Sequence, residues 1–176
     1  GMRAARIKGA LVGVEAITPA GLKDVYKGFN ATGDALVARL RTFRAHDIHV
    51  LGSFIFGLPS DRPETFGATA ALADKADITF AQFVMLTPYP GTVDFERWAK
   101  GVDAEGKNVD GIPYSRHWLI PRAGRPHVYT HHPQMSPDEI RARTQGVWDK
   151  FYSMPEIWKR STIVKSLKSR VAFFLI

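Results

Sequence analysis

IHVLGSFIFGLPSDRPE, residues 48–64, carries the reading of the fold. Its first nine residues form an almost unbroken apolar run, which predicts a strand buried on both faces, as in a parallel sheet. The run stops at Gly57-Leu58-Pro59. Asp61-Arg62-Pro63-Glu64 then predicts a helix start. Asp61 can cap, Pro63 is tolerated in a first turn, and Glu64 stands three residues after the cap. Strand, tight turn, capped helix: that order is half of a βαβ unit.

The same grammar recurs on either side. Residues 9–17, GALVGVEAI, predict a first strand with Glu15 at its C-terminal end, followed by a loop at Thr18-Pro19-Ala20-Gly21. Leu36, Val37, Leu40 and Phe43 recur at i, i+1, i+4 and i+7, which predicts a helix over about residues 34–44. Residues 78–86, ITFAQFVML, predict a third strand that ends at Thr87-Pro88-Tyr89-Pro90-Gly91-Thr92, with a short helix over 93–100. Strands starting near residues 10, 48 and 78 predict βαβαβ with parallel strands and right-handed crossovers.

Residues 101–133 are irregular and rich in Gly, Pro and His. Ser136-Pro137-Asp138-Glu139 opens a helix with Ile140, Val147, Trp148 and Phe151 on its apolar face. Ser153-Met154-Pro155-Glu156 opens a last one, with Ile157, Val164, Leu167, Val171 and Phe174 along one side. The expected fold class is therefore α/β, with three parallel strands and a mainly helical C-terminal extension. Three such strands neither close a barrel nor complete an open doubly wound sheet. Two strand edges are expected to lie bare, which predicts a partial TIM-like barrel, a piece of something larger, or an edge covered by a second copy.

The chain has 176 residues, is 45% apolar and 23% charged, and carries 24 Lys+Arg against 17 Asp+Glu for a net charge of +7. That composition reads as an ordinary folded protein and not a disordered one. With no cysteine at all, the chain supplies no disulfide, cysteine nucleophile, thiolate zinc site or thiolate-bound iron–sulfur cluster. No stretch approaches the ~20 apolar residues of a membrane span, and the N-terminus has no signal-peptide core, so a cytoplasmic location is expected. Gly1 ahead of Met2 reads as a tag remnant, and Arg3 to Lys8 run at once into an apolar strand. A start inside a longer protein is the expectation.

Ligands of parallel α/β folds lie at the C-terminal ends of the strands. Glu15 there is costly unless it pairs or binds. It can accept from ribose hydroxyls or an ammonium group, or pair internally with Lys27 or an arginine. Gly57 either admits a flat ligand to the backbone or simply serves a tight turn.

Taken in order, GVEAI, LGSFIFGLPSDRPETF and FVMLTPYPGT resemble the fourth, fifth and sixth strands of a radical S-adenosylmethionine barrel. The likeness is to the group with an upstream cobalamin-binding domain, the magnesium-protoporphyrin ester cyclase-like and hopanoid-modifying enzymes. HPQMSPDEIRAR and WDKFYSMPEIWKR resemble that group's C-terminal extension, so the resemblance covers about residues 8–160. It implies half of a (β/α) barrel over residues 1–100, a connecting segment over 101–135 and a helical extension over 136–176.

It further implies a partial S-adenosylmethionine site. Glu15 would face the ribose and methionine parts, Ile55 and Gly57 the adenine, and Met85, Leu86 and Pro88 the adenine edge. Lys27 and Asp61 are further candidates, although Asp61 serves equally as a helix cap. Where the family often has Glu-Ser, this chain has Glu15-Ala16. The family's Cys-x3-Cys-x2-Cys loop and its first three strands are absent. The resemblance thus places the 4Fe-4S cluster, any cobalamin and a small hydrophobic or polycyclic substrate in an intact parent, and expects this chain alone to be non-catalytic.

His127, His131 and His132 read as structural or exposed, since no cysteine accompanies them. Lys159, Arg160, Lys165, Lys168 and Arg170 stand against only Glu156 in residues 155–176. As one basic amphipathic helix, that segment either docks on the missing half or lies on anionic lipid. Trp148, Phe151, Tyr152 and Trp158 read as core between the last two helices. No nucleic-acid module is recognisable. The rival to the enzyme reading is a non-catalytic half-barrel acting as an oligomeric interaction or membrane-surface module.

Overall fold

A computed structural model of the protein describes residues 1–126 and 128–174. In chain order the elements are β1 (Gly9–Glu15), α1 (Pro19–Asp24), α2 (Gly33–Ala45), β2 (His49–Phe56), α3 (Pro63–Lys75), β3 (Phe80–Met85) and α4 (Val93–Ala104). A small hairpin follows, β4 (Asn108–Val109) and β5 (Ile112–Pro113), then two 3-10 turns, Tyr114–Leu119 and Arg122–Gly124. The C-terminal part is α5 (Pro137–Phe151), α6 (Met154–Arg160), a 3-10 turn at Ser161–Ile163, and α7 (Leu167–Phe173). The main sheet runs β1-β2-β3 with both pairs parallel. The α/β class with a helical C-terminal part is as the sequence reads.

Alternation along the strands assigns the two faces of the sheet. Val14, Val50, Phe54, Phe56, Ala81 and Phe83 turn one way and are buried. They share a core with Leu36, Val37 and Leu40 of α2, Phe66, Ala70 and Ala73 of α3, and Ile140, Val147 and Phe151 of α5. Phe83 is at its centre, 5.4 Å from the Phe54 ring and edge-on to Trp148 and Phe151 at 5.6 and 5.5 Å. The opposite face carries Leu11, Leu51, Ser53, Gln82 and Val84, none of them buried. Leu11 is 67% exposed. The expectation of strands buried on both faces is therefore corrected: all three helices of this core lie on one side, so an apolar strand presents its other side to solvent.

The expectation of two bare edges is corrected as well. The outer edge of β3 is closed by Trp148 of α5 and by Tyr152, its C-cap, four residues apart and so on one helical face. The Tyr152 hydroxyl donates to the Ala81 carbonyl at 2.7 Å and accepts from the Ala81 amide at 3.0 Å. Trp148 Nε1 donates to the Phe83 carbonyl at 2.9 Å. These two residues pack on the sheet edge, not between the last two helices, and Trp158 is 45% exposed. Among the described residues no strand pairs with the other side of β1.

Two further expectations change. The N-cap of α3 is Arg62, and Asp61 has another role. The single terminal helix is broken at Ser161–Ile163, leaving α7 only seven residues long. Lys159 is paired with Asp74 at 2.7 Å, Arg160 is buried, and Arg170 stacks 4.2 Å over Trp158. The cations therefore do not form one solvent-facing stripe. Among the described residues, no helix is long and apolar enough to cross a membrane.

Candidate functional site

Because the strands are parallel and adjacent in sequence order, their C-terminal ends form one rim. Glu15 is in register with Phe54, and Phe56 with Met85. The Leu86 amide donates to the Phe56 carbonyl at 2.8 Å, which extends the ladder one residue beyond β3. Glu15, Ile55, Gly57, Met85 and Leu86 thus stand side by side along this rim. Pro88 follows, buried, with its carbonyl 3.3 Å from His117 Nε2.

Glu15 adopts φ +65°, and the register shifts between Gly13 and Glu15. A non-glycine residue in this region costs about 1–2 kcal/mol and is held there by its surroundings. Its carboxylate lies 2.6 Å from Lys27 Nζ, so the internal pair is formed. The carboxylate also folds back over Gly13, where a Cβ would meet Glu15 Oε1 at 2.5 Å. Gly13 is therefore part of the site, and the sequence pattern showed it only as one more small residue in a strand.

Gly57 takes φ +85°. Asp61 Oδ2 accepts from the amides of Gly57 at 2.9 Å and Leu58 at 3.0 Å, tying the turn from inside. Burial pushes the Asp61 carboxyl up to about 6; the two amide bonds oppose this, and nearby Asp24 adds to it. Asp24 in turn accepts from the Ser60 amide at 3.0 Å, which clamps α1 to the same turn. A Cβ on Gly57 would meet Ile140 Cγ2 at 3.5 Å, so α5 covers that side of the glycine.

The loop expected at residues 18–21 is instead the start of α1. Thr18 Oγ1 accepts from the Gly21 amide at 3.0 Å, with Pro19 in the first turn. Gly21 lets α1 lie close, since a Cβ there would be 2.7 Å from that of Ala16. Leu22, Leu58 and Ala16 make a second small core, against which Ile55 and Leu86 pack. The Thr-Pro pair was the available signal for this helix.

Beside Pro88, His117 is buried among rings: Tyr129 at 4.4 Å, Trp118 at 5.4 Å and Trp98 at 5.8 Å. His132 is buried and its Nδ1 accepts from the amides of Gln134 and Met135, while His131 is exposed. His127 lies outside the described residues. Among the described residues, no group of three or more His, Cys, Asp or Glu is placed to hold a metal ion.

The rim combines a half-buried carboxylate and ammonium with an apolar shelf of Ile55, Met85 and Leu86. Such a set suits a ligand with both charges, hydroxyl donors and a flat apolar part. The chain is similar to methyltransferases. It is 40% identical over 80 residues to an uncharacterized methyltransferase of Pyrococcus horikoshii, covering 46% of this chain and 17% of the relative. It is 38% identical over 87 residues to the bacteriochlorophyllide d C-12(1)-methyltransferase of Chlorobaculum tepidum, covering 48% of this chain and 18% of the relative. The matched stretch is thus less than a fifth of either relative's length. No protein-family model matches the chain.

Proposed function

We propose that this chain is the C-terminal part of a radical S-adenosylmethionine methyltransferase of the cobalamin-binding type, and that it supplies part of the cofactor pocket. In this reading residues 1–100 are half of a (β/α) barrel, 101–135 connect, and 136–176 form the extension. The observation that carries it is the rim. Three parallel strands in sequence order bring Glu15 with Lys27, the Gly57 turn and Met85-Leu86 to one end of a sheet whose second face is only partly covered. The similarity to methyltransferases supports it independently.

The donor set at the rim fits S-adenosylmethionine. The Glu15 carboxylate accepts from ribose hydroxyls or the methionine ammonium, and its partner Lys27 offers a donor to a carboxylate. Ile55 and Gly57 take the adenine, with the backbone from Met85 to Pro88 at its edge. Asp61 is a positioning residue, since it fixes the Gly57 turn. The bound cofactor supplies an activated sulfonium. The residues present do not fit an iron–sulfur cluster, because the sequence has no thiolate to ligate it. No step through the cluster is assigned to this chain, and catalysis belongs to a parent whose upstream half pairs with β1 and covers the open face. A small hydrophobic or polycyclic substrate is the class implied.

Native polypeptide immunoprecipitated from source cells, with antiserum raised against this chain, tests the reading. A band far above 19.6 kDa that binds S-adenosylmethionine in equilibrium dialysis, with Glu15→Gln weakening binding by about tenfold, is expected. A 19.6 kDa product that binds none overturns it.

A further inference from the structure

We propose that the cavity between α5, α6, α7 and the start of β3 binds a small amphiphilic carboxylate, with its anionic head on Arg160 and its apolar body beside Phe80, Ile157 and Phe173. The cavity has a volume of about 310 Å³, and its lining includes Thr79, Phe80, Tyr152, Ile157, Arg160 and Phe173. It lies at the N-terminal end of β3, away from the rim, and is independent of the function proposed above.

The charge is the reason to expect a ligand. Arg160 is 7% exposed, and its Nη2 donates to the Phe151 carbonyl at 2.5 Å. Its Nε and Nη1 have no partner among the described residues, and neither does the buried Oγ1 of Thr79, which lines the same cavity. A guanidinium cannot shed its proton to escape this position, so unpaired donors there call for an acceptor. The Phe151 ring, 3.8 Å below the guanidinium carbon, offsets the charge in part but accepts no N–H bond of ordinary strength.

The nearby carboxylates are already engaged. Both oxygens of Asp74 are 2.7 Å from Lys159 Nζ, Glu156 is 3.7 Å from the same ammonium, and Asp77 pairs with Arg41 at 3.4 Å. Asp74, Asp77 and Lys159 border a separate cavity of about 80 Å³ on the other side of Thr79 and Arg160. That smaller, polar space suits water. The larger one does not, since its rings and Ile157 offer water few partners. A single cation in an apolar wall matches a single negative charge better than a phosphate dianion.

Calorimetric titration of the full chain with octanoate, and with octan-1-ol as the neutral control, tests the proposal. Octanoate is expected to bind about tenfold more tightly than octanol and to raise the melting temperature. Arg160→Gln, checked for folding by circular dichroism, is expected to erase that preference. Ile157→Trp keeps the guanidinium but narrows the cavity, and is expected to weaken octanoate by about tenfold. Equal affinity for octanoate and octanol, no binding of either, or unchanged octanoate affinity in Ile157→Trp overturns the assignment.

Discussion

Asp61 shows how one side chain can support a site without standing in it. Its carboxyl is raised to about 6 by burial, against an ordinary value of 3.8. A raised acid favours the folded state when protonated. Its contribution is therefore present below pH 4 and is lost as pH rises through 6, by about 2–3 kcal/mol. Asp61→Asn keeps one oxygen to accept from Gly57 and Leu58 but cannot ionise. Between pH 4 and 7 its stability is expected to rise relative to the native chain by about 2–3 kcal/mol, read from urea unfolding; parallel pH curves would argue against this. Asp61→Ala orphans two buried amides and is expected to cost about 2–4 kcal/mol. Gly57→Ala tests the turn separately. With Ile140 at 3.5 Å there is room for a methyl, so the expected loss of about 1–2 kcal/mol comes from φ +85° alone. No measurable loss would show that the turn relaxes.

At the scale of elements, α5 does what another strand would otherwise do. Trp148 and Tyr152 satisfy edge groups of β3, and Phe151, on the same helix, packs on Phe83. Tyr152→Phe removes the only partners that the amide and carbonyl of Ala81 have on that edge among the described residues. A loss of about 1–3 kcal/mol is expected, with hydrogen exchange at Ala81 rising more than at β2 amides. Exchange changing uniformly would mean the edge is not locally held. Nothing in the sequence announced this closure. The periodicity showed that these aromatics belong to one helical face, but periodicity cannot say which surface that face meets. The terminal helix fails for a related reason. Its apolar spacing continues past Ser161, yet Arg160 and Arg170 turn inward and the chain breaks to let α7 place Phe173 on Phe80 at 5.4 Å.

For the whole molecule, the part of the sheet's second face that α1 leaves open is the dominant feature. Leu11, at 67% exposure, stands on that face beside the edge of β1, which pairs with no strand among the described residues. The face and edge together are expected to make the isolated chain self-associate. Leu11→Lys is expected to reduce association in analytical ultracentrifugation while changing stability by less than about 0.5 kcal/mol, since the residue loses little by becoming polar. Association unaffected by this change would place the sticky surface elsewhere, with Phe29 at 79% and Tyr26 at 68% exposure the next candidates.

The sequence alone determined the three strands with the helices that connect and follow them from residue 33 to residue 151, the parallel sheet and the strand ends that form the rim. These are local matters: an apolar run, a turn residue and a cap each act within a few positions of themselves. The position of Glu15 at a strand end was legible for the same reason. The close approaches at Gly13 and Gly21, the hold of Asp61 on the turn, the closed edge of β3 and the two guanidinium nitrogens of Arg160 that have no partner among the described residues were decided only in the tertiary structure. Each depends on which groups, distant along the chain, come within a few ångströms of one another, and hydrogen bonding and desolvation act only at that range.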